Sequence, residues 1–502
     1  MESGHVPLSL DWHFITRNQV RQTPGGDGGW EVPVPGESGG SSPRGRHTTL
    51  KRMHTGDDQD RTWLAPVAAG PVRARIALPA SKSITNRALV LAALSDSVSA
   101  IANPLRARDT ALAADGLRAM GTQIAGDGPD DNPDGRTNWR VTPGQPAAGS
   151  LVAVDVGNAG TVMRFLPAVA ALTRATVRFD GDARASLRPV GAILAALHQL
   201  GADIDDEGRG AVPFTVRGRG TVRGGTVTLD ASASSQLISG LLLAAPRFGE
   251  GVEIRHAGPP VPSAPHIAMS VRMLRAAGAE VTASSAAGGP AERPDAWRVR
   301  PGPLNLGAIA VEPDLSNAGP FLAAALVTGG TVTVPGWPRD SLQAAGPILD
   351  VLARMGARHE TGEEGLTISG TGAVHGISAD LRDVAELAPV LAAVAALADA
   401  PSTFTGLAHT RGHETDRLAA LAKEINALGG DVAELPDGLA ITPRPLNAAG
   451  EPFGSYDDHR MVMAAAVLGL VVPGLRVSGA ETVAKTFPAF TGLWAQTVGL
   501  AP

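Results

Sequence analysis

Apolar residues recur along this chain in one arrangement: a helix-like stretch, a glycine, and then a short strand-like stretch, as in Leu117–Ile124. The glycines of six copies stand 70 to 80 residues apart, at Gly121, Gly201, Gly278, Gly356, Gly429 and Gly499. A glycine directly after a helix commonly takes the left-handed conformation that lets the chain turn into a strand. The spacing therefore predicts six α/β units, and a grouping of three plus three would make two domains.

The first 62 residues lack this pattern. Their glycine- and serine-rich stretches at 25–29 and 36–43 cannot bury much apolar surface, so we expect residues 1–62 to be a disordered N-terminal extension. Met53 lies just before the patterned part. We expect Met53 to be the natural start, with residues 1–52 absent from the natural protein.

Composition narrows the class of protein. The chain has 502 residues, of which 43% are hydrophobic and 18% charged, which suits two or more globular domains. A net charge of −6 argues against nucleic acid as a partner. The absence of cysteine excludes disulfides and thiolate metal sites. The residues after Met1 lack a signal peptide's apolar core, and the longest apolar run, Leu387–Ala398, is too short for a membrane span, so we expect a cytoplasmic protein.

Small polar residues open several predicted helices. These openings are Ser81–Ser83, Gly157–Thr161, Ser232–Gln236, Ser263–His266 and Asp458–Arg460. Helix capping by itself explains any single one of them. However, Lys82 and Arg87 stand in the first turns of one helix, where a cation is unfavourable unless an anion lies nearby. The same conflict recurs at Arg417 and Arg460, which favours anion binding.

Two further features bear on chemistry. Glu414 and Arg417 are three residues apart at the start of a predicted helix. They form either a surface ion pair or a general acid/base beside an anion clamp. The chain has only four lysines, and a compact ammonium is the distinctive feature of lysine relative to arginine. Lys82 lies in a polar helix opening and Lys485 in Ala484–Pro488, just before the last predicted helix, whereas Lys423 has ordinary helical neighbours.

Seven segments, taken together and in order, resemble the EPSP synthase family (3-phosphoshikimate 1-carboxyvinyltransferases). They are Leu78–Arg87, Gly157–Arg164, Arg188–Pro189, Asp230–Gln236, His413–Leu418, Asp457–Met461 and Ala484–Pro488. The resemblance implies an inside-out α/β barrel fold with two domains, each of three βαβαββ units, around a cleft. The chain would begin in the first domain (63–80 plus 313–502) and form the second with residues 81–312. The six units agree with the glycine spacing.

The resemblance also implies the reaction. Phosphoenolpyruvate (PEP) would transfer its enolpyruvyl group to the 5-hydroxyl of shikimate 3-phosphate, releasing phosphate by addition and elimination through a tetrahedral intermediate. No metal or organic cofactor would be needed, the substrates would be the partners, and we expect a monomer. Because Gly160 leaves space beside PEP, we also expect inhibition by glyphosate.

The family's site residues carry over by position. Those expected at shikimate 3-phosphate are Lys82, Ser83, Arg87, Ser234, Ser235, Gln236, Ser263, Glu386, His409 and His413. Those expected at PEP are Lys82, Gly160, Arg188, Gln236, Arg417, Arg460 and Lys485. The catalytic set is Lys82, Glu386, Glu414 and Lys485, with Glu414 as proton donor to the methylene and Glu386 as acceptor of the 5-hydroxyl proton.

Some positions depart from the family pattern. His413 stands where many members have lysine, His409 where many have asparagine, and His266 in place of a common tyrosine. Glu386 replaces the usual aspartate, and Ala80 a glycine. Two alternatives remain. A UDP-N-acetylglucosamine enolpyruvyl transferase would usually carry a loop cysteine, which is absent here. A non-catalytic anion-binding homologue would be expected to lose catalytic residues such as Lys82.

Overall fold

The computed structural model describes residues 62–126, 138–285 and 293–499. The expected N-terminal extension and Met53 lie outside them, except for Thr62. This residue is the first of a strand, so the patterned part begins one residue earlier than expected.

Helices make up the interior of the described part. They are α1 Lys82–Ala93, α2 Arg108–Ala119, α3 Gly160–Ala171, α4 Gly191–Gln199, α5 Ser235–Ala244, α6 Ala264–Ala276, α7 Leu315–Thr328, α8 Ala345–Arg354, α9 Ala388–Ala396, α10 Arg417–Ala427, α11 His459–Gly469 and α12 Phe490–Thr497. Short 3₁₀ helices join them at Ala183–Leu187, Ala245–Arg247, Arg382–Leu387, Ala408–Gly412 and Ala480–Lys485.

The strands are short and alternate with the helices. They are β1 Thr62–Leu64, β2 Arg73–Arg75, β3 Ser99–Ala102, β4 Gln123–Ala125, β5 Asn138–Thr142, β6 Leu151–Asp155, β7 Thr176–Asp180, β8 Asp203–Asp205, β9 Phe214–Arg217, β10 Gly225–Leu229, β11 Val252–His256, β12 Val281–Ser284, β13 Ala296–Val299, β14 Ala308–Ala310, β15 Thr331–Val334, β16 Arg358–Gly362, β17 Gly365–Ser369, β18 Ser378–Asp380, β19 Ser402–Thr405, β20 Asp431–Leu435, β21 Gly438–Thr442, β22 Phe453–Gly454 and β23 Arg476–Ser478.

The described strands form five four-stranded sheets and one three-stranded sheet. Three four-stranded sheets come from continuous βαβαββ segments, of which β6-α3-β7-α4-β8-β9 is one. In that unit β6 and β7 are parallel, and β9 pairs antiparallel with both β7 and β8. The remaining sheets borrow one strand from a distant part of the chain. The six units predicted from the glycine spacing are therefore present.

The borrowed strands show where the chain changes partners. β2 pairs with β15, more than 250 residues later, and β14 pairs with β3. After β2 the chain enters α1, and after β14 it enters α7. These two crossings lie side by side: Ser81 N donates to Glu312 O at 2.8 Å, and Asp314 N donates to Pro79 O at 2.8 Å. An isolated bridge between Ala80 and Pro313 joins them.

The described residues belong to one compact unit, but the buried side chains within it form two hydrophobic clusters. One contains buried residues from Ala80 to Val311. The other combines Ala65, Val72 and Ile76 with residues 315–498. We propose that these clusters are the cores of the two domains expected from the sequence, with the chain crossing at Ala80 and Pro313.

Three helices lie at the centre of each cluster. α1, α3 and α5 contact one another, and so do α7, α9 and α11. Every residue of α3, α9 and α11 is buried, because apolar residues cover all faces of these helices rather than one stripe. None of the described helices combines the length and apolarity needed to cross a membrane. The sheets pack around these central helices, so strands such as β3 and β7 bury one face and expose the other.

The glycine prediction is confirmed. Gly121, Gly201, Gly278, Gly356, Gly429 and Gly499 all have positive φ, between 84° and 108°. Strands follow the first five within a few residues, as β4, β8, β12, β16 and β20.

The six glycines should differ in how much an added methyl group costs. Gly278 has open space around it, whereas a Cβ at Gly121 would enter the backbone of Gln145. We expect Gly278→Ala to lower the free energy of unfolding by about 1–2 kcal/mol, from the left-handed conformation alone. Gly121→Ala should cost clearly more. Urea denaturation of both variants measures the difference, and equal losses would contradict the proposed backbone constraint at Gly121.

Candidate active site

One pocket collects the N-terminal ends of the central helices from both clusters. Its lining includes Lys82 of α1, Gly160 of α3, Gln236 of α5, Asn317 of α7, Leu387 just before α9, Arg417 of α10 and Arg460 of α11. Each helix start presents free N–H groups and a partial positive charge. The pocket is therefore electropositive before any side chain is considered, and it suits small anions.

The segments that cap the N-termini of α1, α5 and α11 also line the pocket. Ser81 Oγ accepts from Ile84 N at 3.5 Å, and Ser234 Oγ accepts from Gln236 N at 3.3 Å. Asp458 Oδ1 accepts from Arg460 N at 2.9 Å. Capping is thus confirmed at these three helix starts, whereas α3 and α6 have no side-chain cap. It does not compete with anion binding, because neighbouring side chains line the pocket.

The structure brings most of the predicted site residues together. Those lining the pocket are Lys82, Ser83, Gly160, Arg188, Ser234, Gln236, Glu386, His413, Glu414, Arg417 and Arg460. Ser235, Ser263 and His409 are outside the lining but adjoin it: Ser235 follows Ser234, Ser263 is close in sequence to the lining residue Pro265, and the His409 ring lies 5.4 Å from that of His413.

Arg87 lies beneath the pocket rather than in its lining. It is 1% exposed. Its guanidinium donates to Ser270 Oγ at 2.8 Å, to Ser83 O at 3.0 Å and to His266 O at 3.1 Å, and it stacks over Phe165. Burial lowers the pKa of Arg87 to about 9, partly opposed by the charge of Glu386. In this structure Arg87 therefore holds the backbone of Ser83.

Lys485 also lies outside the lining. Its ammonium donates to the carbonyl of Asp457, in a turn where Tyr456 and Asp457 both have left-handed φ, 53° and 54°. The next residue, Thr486, does line the pocket. Lys485 is thus beside the site and paired with a backbone oxygen.

A buried ion network holds Arg417. Its Nε donates to Asp458 Oδ2 at 2.7 Å, and its Nη2 donates to Glu414 Oε2 at 3.1 Å. Arg417 Nη1 donates to His413 Nδ1 at 3.0 Å. Because a guanidinium can only donate, His413 carries its proton on Nε2 when neutral. The pair predicted from the 414/417 spacing exists, but it is buried, not a surface pair. α10 begins only at Arg417, so Glu414 precedes the helix and does not stand in its first turn as expected.

Two other arginines in the lining have unused donors. The Nε atoms of Arg188 and Arg460 are buried and have no hydrogen-bond partner within the described ranges. Arg188 otherwise donates to Asn158 O at 2.6 Å, and Arg460 to Ser316 O at 3.0 Å. Burial lowers the pKa of Arg460, with Asp314 acting in the opposite direction. A buried guanidinium with a free N–H is a strong site for an anionic oxygen.

The two predicted acid/base carboxylates are both ionised here. Burial raises the pKa of Glu386, but His266, Arg460 and His413 lower it by more, to about 2. Glu386 Oε1 lies 3.6 Å from His266 Nδ1. Burial likewise raises the pKa of Glu414, and Arg188 and Arg417 bring it well below its ordinary value. Burial also lowers the pKa of His413 well below its ordinary value, so His413 is neutral at pH 7.

Several pocket residues were not predicted as functional. They are Thr161, Arg164, His266, Asp314, Ser316, Asn317, Gln343, Asp383, His459 and Thr486, among others. Arg164 donates to Gln236 Oε1 at 3.0 Å. Asp314–Asn317 opens a central helix with small polar residues, as Ser81–Ser83 does. That signal could have revealed this segment as part of the pocket. Asp109, which accepts from Lys82 Nζ at 3.0 Å, carries no comparable local signal.

Across 62–126, 138–285 and 293–499, no group of three or more His, Asp or Glu side chains is placed to hold a metal ion.

Comparisons with known proteins agree with this architecture. The EPSP synthase (3-phosphoshikimate 1-carboxyvinyltransferase) family profile matches residues 67–494. A 3-phosphoshikimate 1-carboxyvinyltransferase of Kocuria rhizophila is 48% identical over 447 residues, covering 88% of this chain and 97% of that protein. An EPSP synthase structure from Acinetobacter baumannii has a TM-score of 0.68 at 26% identity, covering 87% of this chain and 98% of that one. The enolpyruvyl transferase NikO from Streptomyces tendae shares the fold, with a TM-score of 0.64, 17% identity and coverage of 86% and 96%.

The fold and the pocket thus define an enzyme with the inside-out α/β architecture of the enolpyruvyl transferases, as the sequence resemblance implied. The chain belongs to the EPSP synthase family and is a transferase. It moves the enolpyruvyl group of phosphoenolpyruvate to shikimate 3-phosphate, a step of aromatic amino-acid biosynthesis. The two alternatives, a UDP-N-acetylglucosamine enolpyruvyl transferase and a non-catalytic anion-binding homologue, are therefore not needed.

The Arg417–Asp458 pair should be critical for stability. The side chains are 3% and 0% exposed, so Asp458→Ala would leave a buried cation without its main partner. We expect the free energy of unfolding to fall by about 3–5 kcal/mol, measured by urea denaturation. Glu364→Ala is the control: it breaks a pair with Arg75 whose side chains are 77% and 56% exposed, and it should have almost no effect. Similar losses in both variants would contradict this account.

His409 should make stability fall in mild acid. Burial lowers its pKa to about 4, whereas an unfolded histidine titrates near 6.5. Between these values only the unfolded state binds the proton, so the free energy of unfolding falls as pH falls. In His409→Gln that slope should shrink by about 1.4 kcal/mol per pH unit between pH 6 and 4.5. Denaturation at several pH values measures it, and parallel profiles would show that His409 does not titrate this way.

Proposed function

We propose that the transfer occurs in this pocket by addition and then elimination through a tetrahedral intermediate, with the residue roles expected from the sequence. The observation that carries the proposal is the set of buried arginines with free N–H donors, Arg188 and Arg460, at converging helix starts. Two ionised carboxylates, Glu386 and Glu414, line the same pocket.

Shikimate 3-phosphate is assigned to the side formed by α1, α5 and α6. Ser83, Ser234 and Gln236 line the pocket there, and their hydroxyl and amide groups match a phosphate and ring hydroxyls. Ser235 and Ser263 belong to the same proposal as buried neighbours. Arg87 supports this side through the carbonyl of Ser83. The neutral His409 and His413 act near the ring hydroxyls as hydrogen-bonding groups instead of cations.

PEP is assigned to the side of the pocket that is lined by lysine and arginine side chains. Lys82, Arg188, Arg417 and Arg460 line this region with Gly160 and Gln236. A carboxylate and a phosphate need several fixed donors, and buried guanidinium groups supply them in a planar, directed form. Lys485 joins this set in the proposal by leaving the Asp457 carbonyl, since its ammonium is otherwise occupied.

Glu386 is the proposed acceptor of the 5-hydroxyl proton. Because its pKa is lowered to about 2, it is ionised and ready to accept a hydrogen bond at neutral pH. His266 Nδ1 lies 3.6 Å from Glu386 Oε1, which is too far for a hydrogen bond.

Glu414 is the proposed proton donor to the methylene carbon, and its ionised state in this structure requires an explanation. Arg188 and Arg417, followed by His413 and Lys82, lower its pKa, and Arg188, Arg417 and Lys82 are also proposed ligands of PEP. Once the anionic substrate pairs with the two guanidinium groups and the ammonium of Lys82, their effect on Glu414 is offset. Burial, which raises the pKa, then dominates and favours the protonated acid. Substrate binding would thereby prepare the donor.

The cellular setting is part of the proposal. A net charge of −6 and small anionic substrates suit a cytoplasmic enzyme without nucleic-acid partners, and we propose that it acts as a monomer.

Phosphate release tests the proposed site. The protein should release inorganic phosphate when given PEP and shikimate 3-phosphate together. Glu386→Gln keeps the size of the side chain but removes the base, and we expect kcat to fall about 100-fold or more. Glu364→Gln, on the exposed surface, is the matched control and should retain full activity. If Glu386→Gln retained full activity, Glu386 would not be the base. Activity with UDP-N-acetylglucosamine instead would contradict the substrate assignment.

Gly160 should govern inhibition by glyphosate, which we propose binds in place of PEP. A Cβ at Gly160 would lie 2.8 Å from Arg164 Nη1, 2.8 Å from Arg188 Nη2 and 2.9 Å from Gln236 Oε1. Gly160→Ala must displace these flexible polar ends, so the inhibition constant for glyphosate should rise at least about tenfold. Inhibition assays at fixed PEP measure it. An unchanged inhibition constant would show that the methyl group does not reach the inhibitor.

A further inference from the structure

Asn317 is a buried polar side chain that the roles above do not use. It lies in the first turn of α7 and is 0% exposed. Neither its Oδ1 nor its Nδ2 has a hydrogen-bond partner in the described part of the chain, although the residue lines the pocket. A buried amide without partners is costly, and buried polar groups are usually satisfied.

Helix capping does not account for Asn317. Asp314 performs that role, because its Oδ1 accepts from the backbone N of Asn317 at 3.0 Å. Nearby residues of the same helix are apolar, and Leu315, Ala318 and Phe321 are fully buried. A leucine, which has the same number and branching of heavy atoms, would satisfy packing at this position. The amide therefore requires a different explanation.

The surroundings of Asn317 point to an anion. Ser316, the preceding residue, accepts through its carbonyl from Arg460 Nη1 at 3.0 Å. This bond brings the N-terminus of α7 to the guanidinium at the N-terminus of α11. Arg460 Nε is also buried and unpaired. Asn317 and Arg460, at two helix starts, thus line the same pocket with unpaired polar atoms, and a helix start favours an anion.

We propose that Asn317 is a further substrate-binding residue. Its side-chain N–H groups donate to the anionic group of PEP, carboxylate or phosphate, that Arg460 binds. This rests on the proposed placement of PEP at Arg460. The amide is left unpaired in the free enzyme and becomes satisfied only when the substrate arrives. Asn317 therefore lowers the stability of the free enzyme and strengthens its hold on PEP.

Asn317→Leu and the smaller Asn317→Ala test this by two measurements. The KM for PEP should rise about tenfold, as expected for a lost hydrogen bond to a charged group, while the KM for shikimate 3-phosphate should stay within about twofold. The thermal midpoint of the free Asn317→Leu enzyme should be unchanged or higher, because an unsatisfied polar group has been removed. An unchanged KM for PEP, or an equal rise for shikimate 3-phosphate, would overturn the proposal.

Two further variants complete the experiment. Asn426 is bonded at both ends, with Nδ2 donating to Val432 O at 2.8 Å and Oδ1 accepting from Val432 N at 2.7 Å. Asn426→Leu should lower the thermal midpoint and leave both KM values unchanged, which is the opposite pattern.

Arg460→Gln separates the placement of PEP from the role of Asn317. If it leaves the KM for PEP unchanged, the placement of PEP fails; if it raises that KM while the Asn317 variants do not, only the role of Asn317 fails.

Discussion

The convergence of buried helix N-termini on one pocket is the constraint on which the rest of this structure depends. The central helices of both clusters begin at this pocket, so their partial positive charges add in a region with little solvent. The acidic caps Asp314 and Asp458 balance part of this positive charge. The arginines that line the pocket add to the positive charge. Such an arrangement is stable only with carboxylates nearby and is completed by an anionic ligand.

The same electrostatics connect binding to chemistry. Arg417 is held by Asp458 and also contacts Glu414, so the position and the charge of Glu414 depend on one guanidinium. In the proposed mechanism, an anion that pairs with the arginines raises the proton affinity of Glu414. The unpaired donors of Arg188, Arg460 and Asn317 belong to this pattern, because the free enzyme keeps polar groups unsatisfied that a substrate can satisfy.

Local sequence signals predicted the units and the helix starts well. The glycines at 121 to 499 are predictable because a left-handed residue after a helix favours glycine whatever surrounds it. The starts of α1, α5 and α11 are predictable because capping depends on a few neighbouring residues. The start of α10 was placed too early, since His413 and Glu414 look like a helix opening but are held by Arg417 and Arg184 instead.

The sequence by itself thus determined six α/β units, their glycine turns and the polar helix starts that bring cations to one site. Only the tertiary structure decided that Arg87 supports the pocket from below, that Lys485 rests on Asp457, and that Asn317 is buried without a partner. The physical reason is the range of the interactions. A cap or a turn is complete within four or five residues, whereas the pairing of β2 with β15 and the contact of Arg417 with Asp458 form only after distant segments have packed.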